Sequence, residues 1–361
     1  ERHERRALGR HDVRAVVRQT SNRPQSTAFD RSTAFYYDAA GRTLAEVDPE
    51  GYLTRYVYDG AGSLVRTIAR AEPVRATQRG QAVLWHIDTD VASPQDRIVE
   101  TGYDADGEPI LTIDALGNRT EYSYNGGGLL TGTVKLGAGT AIREYVVYDG
   151  IGRMVASVDG DNYVTEIRYD ANGNVARRIR YGTPSSTPAA GTLAGVTQGL
   201  SATHPDLRAT TYTYTALDQL LTESTSDAAG ATIGLSTTYA YDKAGNVTSV
   251  TRTNGIASSA EYDALGRLVT EFSYAGAAPV RHAYDNAGRR VSTTDQNGHR
   301  TLFYYDAAGR LTFSVNPLGE VSERRYDNFG ALVSERRYGE RFQAQRLATL
   351  GGGNANYFAP P

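Results

Sequence analysis

One recurring unit constrains this chain more than any other feature. The dipeptide Tyr-Asp occurs ten times, as Tyr37-Asp38, Tyr58-Asp59, Tyr103-Asp104, Tyr148-Asp149, Tyr169-Asp170, Tyr241-Asp242, Tyr262-Asp263, Tyr284-Asp285, Tyr305-Asp306 and Tyr326-Asp327. Four positions after each tyrosine stands a glycine: Gly41, Gly62, Gly107, Gly152, Gly173, Gly245, Gly266, Gly288, Gly309 and Gly330. Glycine fills 38 of 361 positions, so ten hits in ten would arise by chance about once in 10¹⁰ trials. The commonest spacing between units is 21 residues, and degenerate copies at Tyr124-Asn125 and Tyr214-Thr215 fill gaps. A chain repeated at this period folds as copies of one supersecondary unit.

The unit reads physically as a hairpin. Asp followed three residues later by Gly is a tight-turn signature, with the Asp side chain capping the turn and Gly taking the positive φ that closes it. A second turn follows about ten residues on, in Asp48-Pro-Glu-Gly51, Asp114-Ala-Leu-Gly117, Asp295-Gln-Asn-Gly298 and Asn316-Pro-Leu-Gly319. Each unit is then strand, turn, strand, turn, with strands about 20 Å long. Thr54, Tyr56 and Tyr58 alternate with other residues, as do Thr120, Tyr122 and Tyr124, Thr210, Tyr212 and Tyr214, and Thr237, Tyr239 and Tyr241. Leu311, Phe313 and Val315 form another alternating set after a turn. Tyrosines paired across neighbouring strands would add about 0.2–1 kcal/mol per pair.

Twelve such units make about 24 strands, and an unrolled sheet of roughly 115 Å at ~4.8 Å per strand. A twisted open sheet rarely exceeds ~10 strands without curling or splitting. A leucine-rich repeat needs a Leu-x-x-Leu-x-Leu pattern that is absent, and a propeller blade is about twice as long, with a Trp-Asp signature. The single tryptophan is Trp85. A parallel β-helix has rungs of suitable size, but two turns per unit favour hairpins. The expected fold class is all-β: antiparallel hairpins forming a long strip curled into a spiral or barrel-like shell, with irregular inserts containing short helices.

The residues Tyr-Asp-Ala-Ala-Gly-Arg-Leu-Thr at 305–312, Tyr-Asp-Ala-Leu-Gly-Arg-Leu-Val at 262–269 and Asp-Pro-Glu-Gly-Tyr-Leu-Thr-Arg-Tyr-Val-Tyr-Asp at 48–59 resemble the YD repeats of the rearrangement-hotspot (RHS) family. The resemblance runs from about Asp30 to Arg337. It implies a β-sheet strip spiralling into a hollow cocoon. In the family's bacterial toxins such a shell encloses a C-terminal toxic domain; in the teneurins it is part of an adhesion receptor. The toxins also carry a core segment ending in an Asp-Pro-x-Gly-Leu-like cleavage site. Here Asp48-Pro49-Glu50-Gly51 is an ordinary second turn and no such core follows Gly330, so self-cleavage and toxic activity are not carried over to these residues.

The repeats break at about 69–95 and 182–205, which read as inserts; the second carries a Pro/Ser/Thr-rich loop and a short helix near Leu193–Leu200. Asp30, Asp96 and Asp206 precede the resumption of strand chemistry, at spacings of 66 and 110, three and five units of 22. The expected organisation is a repeat segment over 30–337, flanked by truncated inserts or linkers at 1–29, partly helical, and 338–361. The chain begins without Met and reads as a piece of a longer protein.

Little else carries chemistry. With no cysteine, disulfides, thiolate metal sites and a Cys nucleophile are excluded. The net charge of −3 does not suit a nucleic-acid-binding polycation, and no apolar run approaches the ~18 residues of a membrane span. No signal peptide is visible. Arg2, Arg5, Arg6, Arg10, Arg14 and Arg18 are read as a solvated segment. His3, His11, His86, His204, His282 and His299 are scattered without ligand spacing. Asp104-Ala-Asp106-Gly107 and Asp159-Gly-Asp161-Asn162 lack the rest of a calcium loop. Asn118 and Asn246 are glycosylation acceptors only in a eukaryotic source, and no glycosidase carboxylate pair stands out.

No catalytic, cofactor-binding or metal-binding residue is expected, and no nucleic acid or membrane partner. The Tyr, Asp and Gly of each unit are expected to be structural. The expected role is a non-catalytic wall segment of a secreted or cell-surface bacterial protein, its partner a cargo or toxin domain of the same longer polypeptide. The alternative is an adhesin that binds carbohydrate or a receptor through Tyr-rich surface.

Overall fold

A computed structural model describes residues 31–75, 93–137, 139–255, 257–343 and 349–355. The strands in chain order begin with β1 (Arg31–Tyr37), β2 (Thr43–Val47), β3 (Leu53–Tyr58), β4 (Leu64–Ala69), β5 (Arg97–Tyr103) and β6 (Pro109–Ile113). They continue with β7 (Arg119–Tyr124), β8 (Leu130–Leu136), β9 (Ile142–Tyr148), β10 (Met154–Val158), β11 (Tyr163–Tyr169), β12 (Val175–Pro184) and β13 (Arg208–Tyr214). Then come β14 (Leu220–Ser226), β15 (Thr237–Tyr241), β16 (Val247–Arg252), β17 (Ala257–Tyr262), β18 (Leu268–Phe272) and β19 (Val280–Tyr284). The last are β20 (Arg290–Thr294), β21 (Arg300–Tyr305), β22 (Leu311–Val315), β23 (Glu320–Tyr326), β24 (Leu332–Arg341) and β25 (Gly353–Asn354). One helical turn, α1 (Leu193–Val196), lies between β12 and β13.

The all-β, antiparallel-hairpin organisation expected from the repeat is what the structure has. Thr101–Val280 form one compact unit, and the described residues on either side form another. In the first, β6 to β18 pair in sequence order, every neighbour antiparallel. In the second, β19 to β24 pair in order, β24 pairs with β1, and β1 to β5 pair in order, all antiparallel. The short β25 lies parallel to β21.

Alternation along the strands gives each sheet a core face. In the flanking unit, Tyr36, Ala45, Val47 and Leu53 are buried together with Val74, which lies just past β4. Leu302, Tyr304, Val315 and Val321 are buried with Phe342, just past β24, and Leu350 packs on them. In the central unit, Val147, Ala156, Val158, Val164 and Ile179 are buried with Val196 of α1 and Leu207. Burying a Val or Leu stabilises by about 1.5–3 kcal/mol, so segments leaving the ribbon return to cover its apolar face.

The helix is shorter than the expected Leu193–Leu200. Thr192 caps it, its hydroxyl accepting from the Gly195 N–H at 3.2 Å, and Thr197 ends it. The strands β12 and β24, ten residues each, run into the segments read as inserts. Residues 1–29, Asp30 and most of 69–95 lie outside the described residues.

Candidate functional site

Joints between repeats are the built feature of this fold. At each Tyr-Asp turn the Asp Oδ1 accepts the backbone N–H groups two and four residues on, as Asp38 does from Ala40 and Arg42 and Asp306 from Ala308 and Arg310. Asp59, Asp104, Asp149, Asp170, Asp242, Asp263, Asp285 and Asp327 do the same. The ten repeat glycines have φ between 73° and 95°, a region that L side chains rarely adopt. The register shifts by one residue just before the motif tyrosine, between Tyr36 and Tyr37, Val57 and Tyr58, and Tyr304 and Tyr305, so these hairpins carry a bulge at the turn.

The motif tyrosine ties its repeat to the one before. Its hydroxyl donates to the carbonyl two residues past the preceding turn's glycine: Tyr58 to Thr43 at 2.9 Å, Tyr169 to Met154 at 2.8 Å, Tyr262 to Val247 at 3.0 Å, Tyr305 to Arg290 at 2.8 Å and Tyr326 to Leu311 at 2.8 Å. Tyr148 and Tyr241 reach Leu130 and Leu220 in the same way, as do the degenerate Tyr124 and Tyr214, reaching Pro109 and Val175. Tyr37 reaches Leu332. Tyr103 and Tyr284 close β5 and β19.

A further residue, to which the sequence reading assigned no role, completes the joint. Where Arg follows the turn glycine, its Nε donates to the Oδ2 of the turn Asp, at 2.7 Å for Arg42 on Asp38 and 2.7 Å for Arg310 on Asp306. The same guanidinium lies over the next repeat's tyrosine: Arg42 over Tyr58, Arg153 over Tyr169, Arg289 over Tyr305 and Arg310 over Tyr326, at 4.4–4.9 Å from the ring centre. One arginine thus braces its own turn and clamps its neighbour. The signal was legible: Arg follows the repeat glycine at 42, 153, 267, 289 and 310.

These bonds hold the turn carboxyls in their charged form. The Arg267 side chain lowers the pKa of Asp263, and the Asn246 side chain that of Asp242. The Arg153 backbone N–H does so for Asp149. At Asp38 and Asp306 burial pushes upward, but hydrogen bonds from Arg42 and Arg310 outweigh it and the net shift is down.

Two buried carboxylates stand where a strand leads off into an insert. Glu166 on β11 accepts from Arg168 Nε at 2.6 Å and from the Tyr181 hydroxyl at 2.7 Å. Glu323 on β23, 1% exposed, accepts from Arg325 at 3.1 and 3.2 Å and from the Tyr338 hydroxyl at 3.0 Å. The spacing, Arg two and Tyr fifteen residues after Glu, is the same in both. Burial foremost, then the Glu partner, pushes Tyr181 and Tyr338 up to about 12. The exits also match: Val74, Ser185 and Phe342 donate their N–H to Gly51, Asn162 and Gly319, each the left-handed residue of the preceding second turn, at 2.8–2.9 Å.

Among the described residues no group of three or more His, Asp or Glu is placed to hold a metal ion, and no helix is long and apolar enough to cross a membrane. Asp104 and Asp159, in the calcium-like turns, spend Oδ1 on backbone N–H groups.

A ribbon of antiparallel hairpins, clamped repeat to repeat by Tyr, Asp and Arg, defines a structural repeat protein. The RHS Repeat family model matches residues 37–72, 103–141, 231–257, 262–301 and 284–320, so these segments of the chain are RHS repeats. The chain is similar to solved structures of TcdB2-TccC3 without the hypervariable C-terminal region (TM-score 0.43, 20% identity, 83% of this chain and 16% of that one) and of TcdB2-TccC3 (0.40, 16%, 84% and 20%). It is also similar to the Photorhabdus luminescens Tc holotoxin pore (TM-score 0.32, 16% identity, 83% of this chain and 21% of that one). The chain spans about a fifth of the length of these structures.

Proposed function

We propose that this chain is non-catalytic wall material: part of an RHS shell that encloses a cargo or toxin domain of the same longer polypeptide, in a secreted or surface protein of a bacterium. The single observation that carries the reading is the uniform joint. Hydroxyl-to-carbonyl bonds of one kind tie repeat after repeat edge to edge, and the first repeat strand is paired with the last. A ribbon built this way leaves few open edges to aggregate and gains function by enclosing volume.

Support also comes from where the polar chemistry goes. Motif tyrosines that an adhesin would offer to sugars spend their hydroxyls between repeats. The wall reading extends the organisation expected from sequence, with the repeat segment as wall and the inserts as excursions, of whose described residues Val74, Val196, Leu207, Phe342 and Leu350 pack on its apolar face.

Limited proteolysis of the full-length protein tests this. The domain that follows the repeats is expected to resist protease while the wall is folded and to be cut once the wall is unfolded. Equal cutting rates in both states would overturn the shell reading, and specific retention on a glycan array would favour the adhesin.

A further inference from the structure

Arginines in equivalent places at two insert junctions differ in what stands opposite them. Where the ribbon resumes after the first insert, Arg66 on β4 pairs with Glu100 on β5, and its Nε and Nη2 both donate to Glu100 Oε1, at 3.0 and 2.7 Å. Where it resumes after the second, Arg177 on β12 pairs with Thr211 on β13. Arg66 and Arg177 each lie eight positions after a repeat tyrosine, Tyr58 and Tyr169, and Glu100 and Thr211 each lie three before one, Tyr103 and Tyr214. Arg177 therefore stands in the place of Arg66, with a hydroxyl opposite it instead of a carboxylate. Its Nε is buried with no hydrogen-bond partner, and its side chain makes no ion pair among the described residues. A second arginine, Arg168, is directly opposed to it on β11. The carboxylate on the same face, Glu166, is taken by Arg168 Nε and by the Tyr181 hydroxyl. Burial pushes the Glu166 carboxyl up, and Arg168, Tyr181 and the more distant charge of Arg177 outweigh it. Two guanidinium groups thus share one carboxylate, and a buried donor is left over where such donors are normally paired.

We infer that Arg177, with Arg168 and Thr211, binds a carboxylate group brought by a ligand, in the place that Glu100 fills at the other junction. The pairing register sets Arg168, Arg177, Thr211 and Ser224 in one row across β11 to β14, with neighbours about 4.5–5.5 Å apart on one face. Thr211 is exposed, and so is more than half of the Arg168 side chain, which leaves the row open to solvent. A guanidinium presents a planar fork that matches the two oxygens of a carboxylate. The hydroxyls of Thr211 and Ser224 stand next in the row as further donors. The surplus positive charge repels a cation, and an apolar group would leave the buried Nε unpaired. The carboxylate belongs to a free small acid or to an acidic side chain of a polypeptide. Nothing in this site depends on the wall enclosing a cargo.

The two junctions test each other by exchange of one residue. In the chain labelled with 15N-arginine, the Nε–Hε signal of Arg177 is the one lost in Arg177→Gln. Sodium acetate is expected to shift that signal saturably at millimolar concentration, beyond any shift from sodium chloride at equal ionic strength. Thr211→Glu is expected to place the signal at its shifted position without acetate, to raise the urea midpoint, and to weaken the acetate response about tenfold or more, the loss of one charge-assisted bond. Glu100→Thr is expected to give the Arg66 signal the acetate response that it lacks in the parent. A peptide Gly-Glu-Gly with blocked termini separates the two sources. A response at lower concentration than acetate assigns the site to a polypeptide, and a response at the same concentration assigns it to a free acid. An Arg177 signal that follows acetate no further than chloride would overturn the inference. So would a response to inorganic phosphate alone, or a Thr211→Glu chain, folded by circular dichroism, that binds acetate as the parent does.

Discussion

The hydroxyl of Tyr37 donates to the carbonyl of Leu332 at 2.6 Å, joining residues 295 positions apart. It is the bond that Tyr326 makes to Leu311, 15 positions back. The first repeat thus stands to the last as each repeat stands to its predecessor. Phenylalanine at either tyrosine removes one hydroxyl-to-carbonyl bond and keeps the ring. Tyr326→Phe and Tyr37→Phe are each expected to lower stability by about 0.5–1.5 kcal/mol, read as a lower urea midpoint. In hydrogen exchange, Tyr37→Phe is expected to speed β1 and β24 selectively.

The arginine clamp has two parts that separate by mutation. Arg310→Ala loses both the Asp306 bond and the contact with Tyr326, at a cost of about 1 kcal/mol. Arg310→Lys keeps the charge but not the planar fork, and is expected to recover less than half of that loss. Equal stability of the lysine variant and the parent would show that charge alone matters.

Glycines of similar φ differ in what surrounds them. Gly117 has φ +81° and open space where a Cβ would go, so Gly117→Ala carries only the left-handed backbone penalty, about 1–2 kcal/mol. Gly319 has φ +80°, and a Cβ there would lie 2.5 Å from the Phe342 carbonyl oxygen. Gly319→Ala is expected to cost more than Gly117→Ala in the same denaturation experiment, because it also breaks the exit bond from Phe342.

Removing the Glu323 carboxylate leaves Arg325 and Tyr338 without their buried acceptor. Glu323→Ala is expected to destabilise by about 3 kcal/mol. Adding Tyr338→Phe is expected to cost less than the sum of the two single changes, which a double-mutant cycle measures.

Stability is expected to fail at both extremes of pH. Asp149, Asp242 and Asp263 have folded-state pKa values below the ordinary carboxyl range. A depressed group stabilises the fold above its unfolded value, about 3.9 for Asp, and that contribution is lost as pH falls through the folded value. Tyr36, Tyr181 and Tyr338 are pushed up to about 12, by burial first. Their contribution is complete below the unfolded value of about 10 and is lost as pH rises through the folded one. Urea midpoints are therefore expected to be level between about pH 5 and 9, falling below about pH 4 and above about pH 10.

Local chemistry was legible because it repeats. A turn such as Asp306 to Gly309 is decided within five residues, and copying it along the chain made the hairpins, strand alternation and all-β class readable in one dimension. The arginine of the clamp was visible only as a letter after glycine. Its partner ring lies in the next repeat, and no spacing rule says which side chains meet across a seam. The same holds for Glu323 and Tyr338, whose equivalence to Glu166 and Tyr181 emerges only once both carboxylates are seen buried. Sequence by itself determined the hairpin unit, because backbone sterics and side-chain caps act over a few residues. Only the tertiary structure decided that β24 meets β1 and where segments beyond the strands pack, because those contacts join residues far apart in the chain, where no local rule of sterics or capping acts.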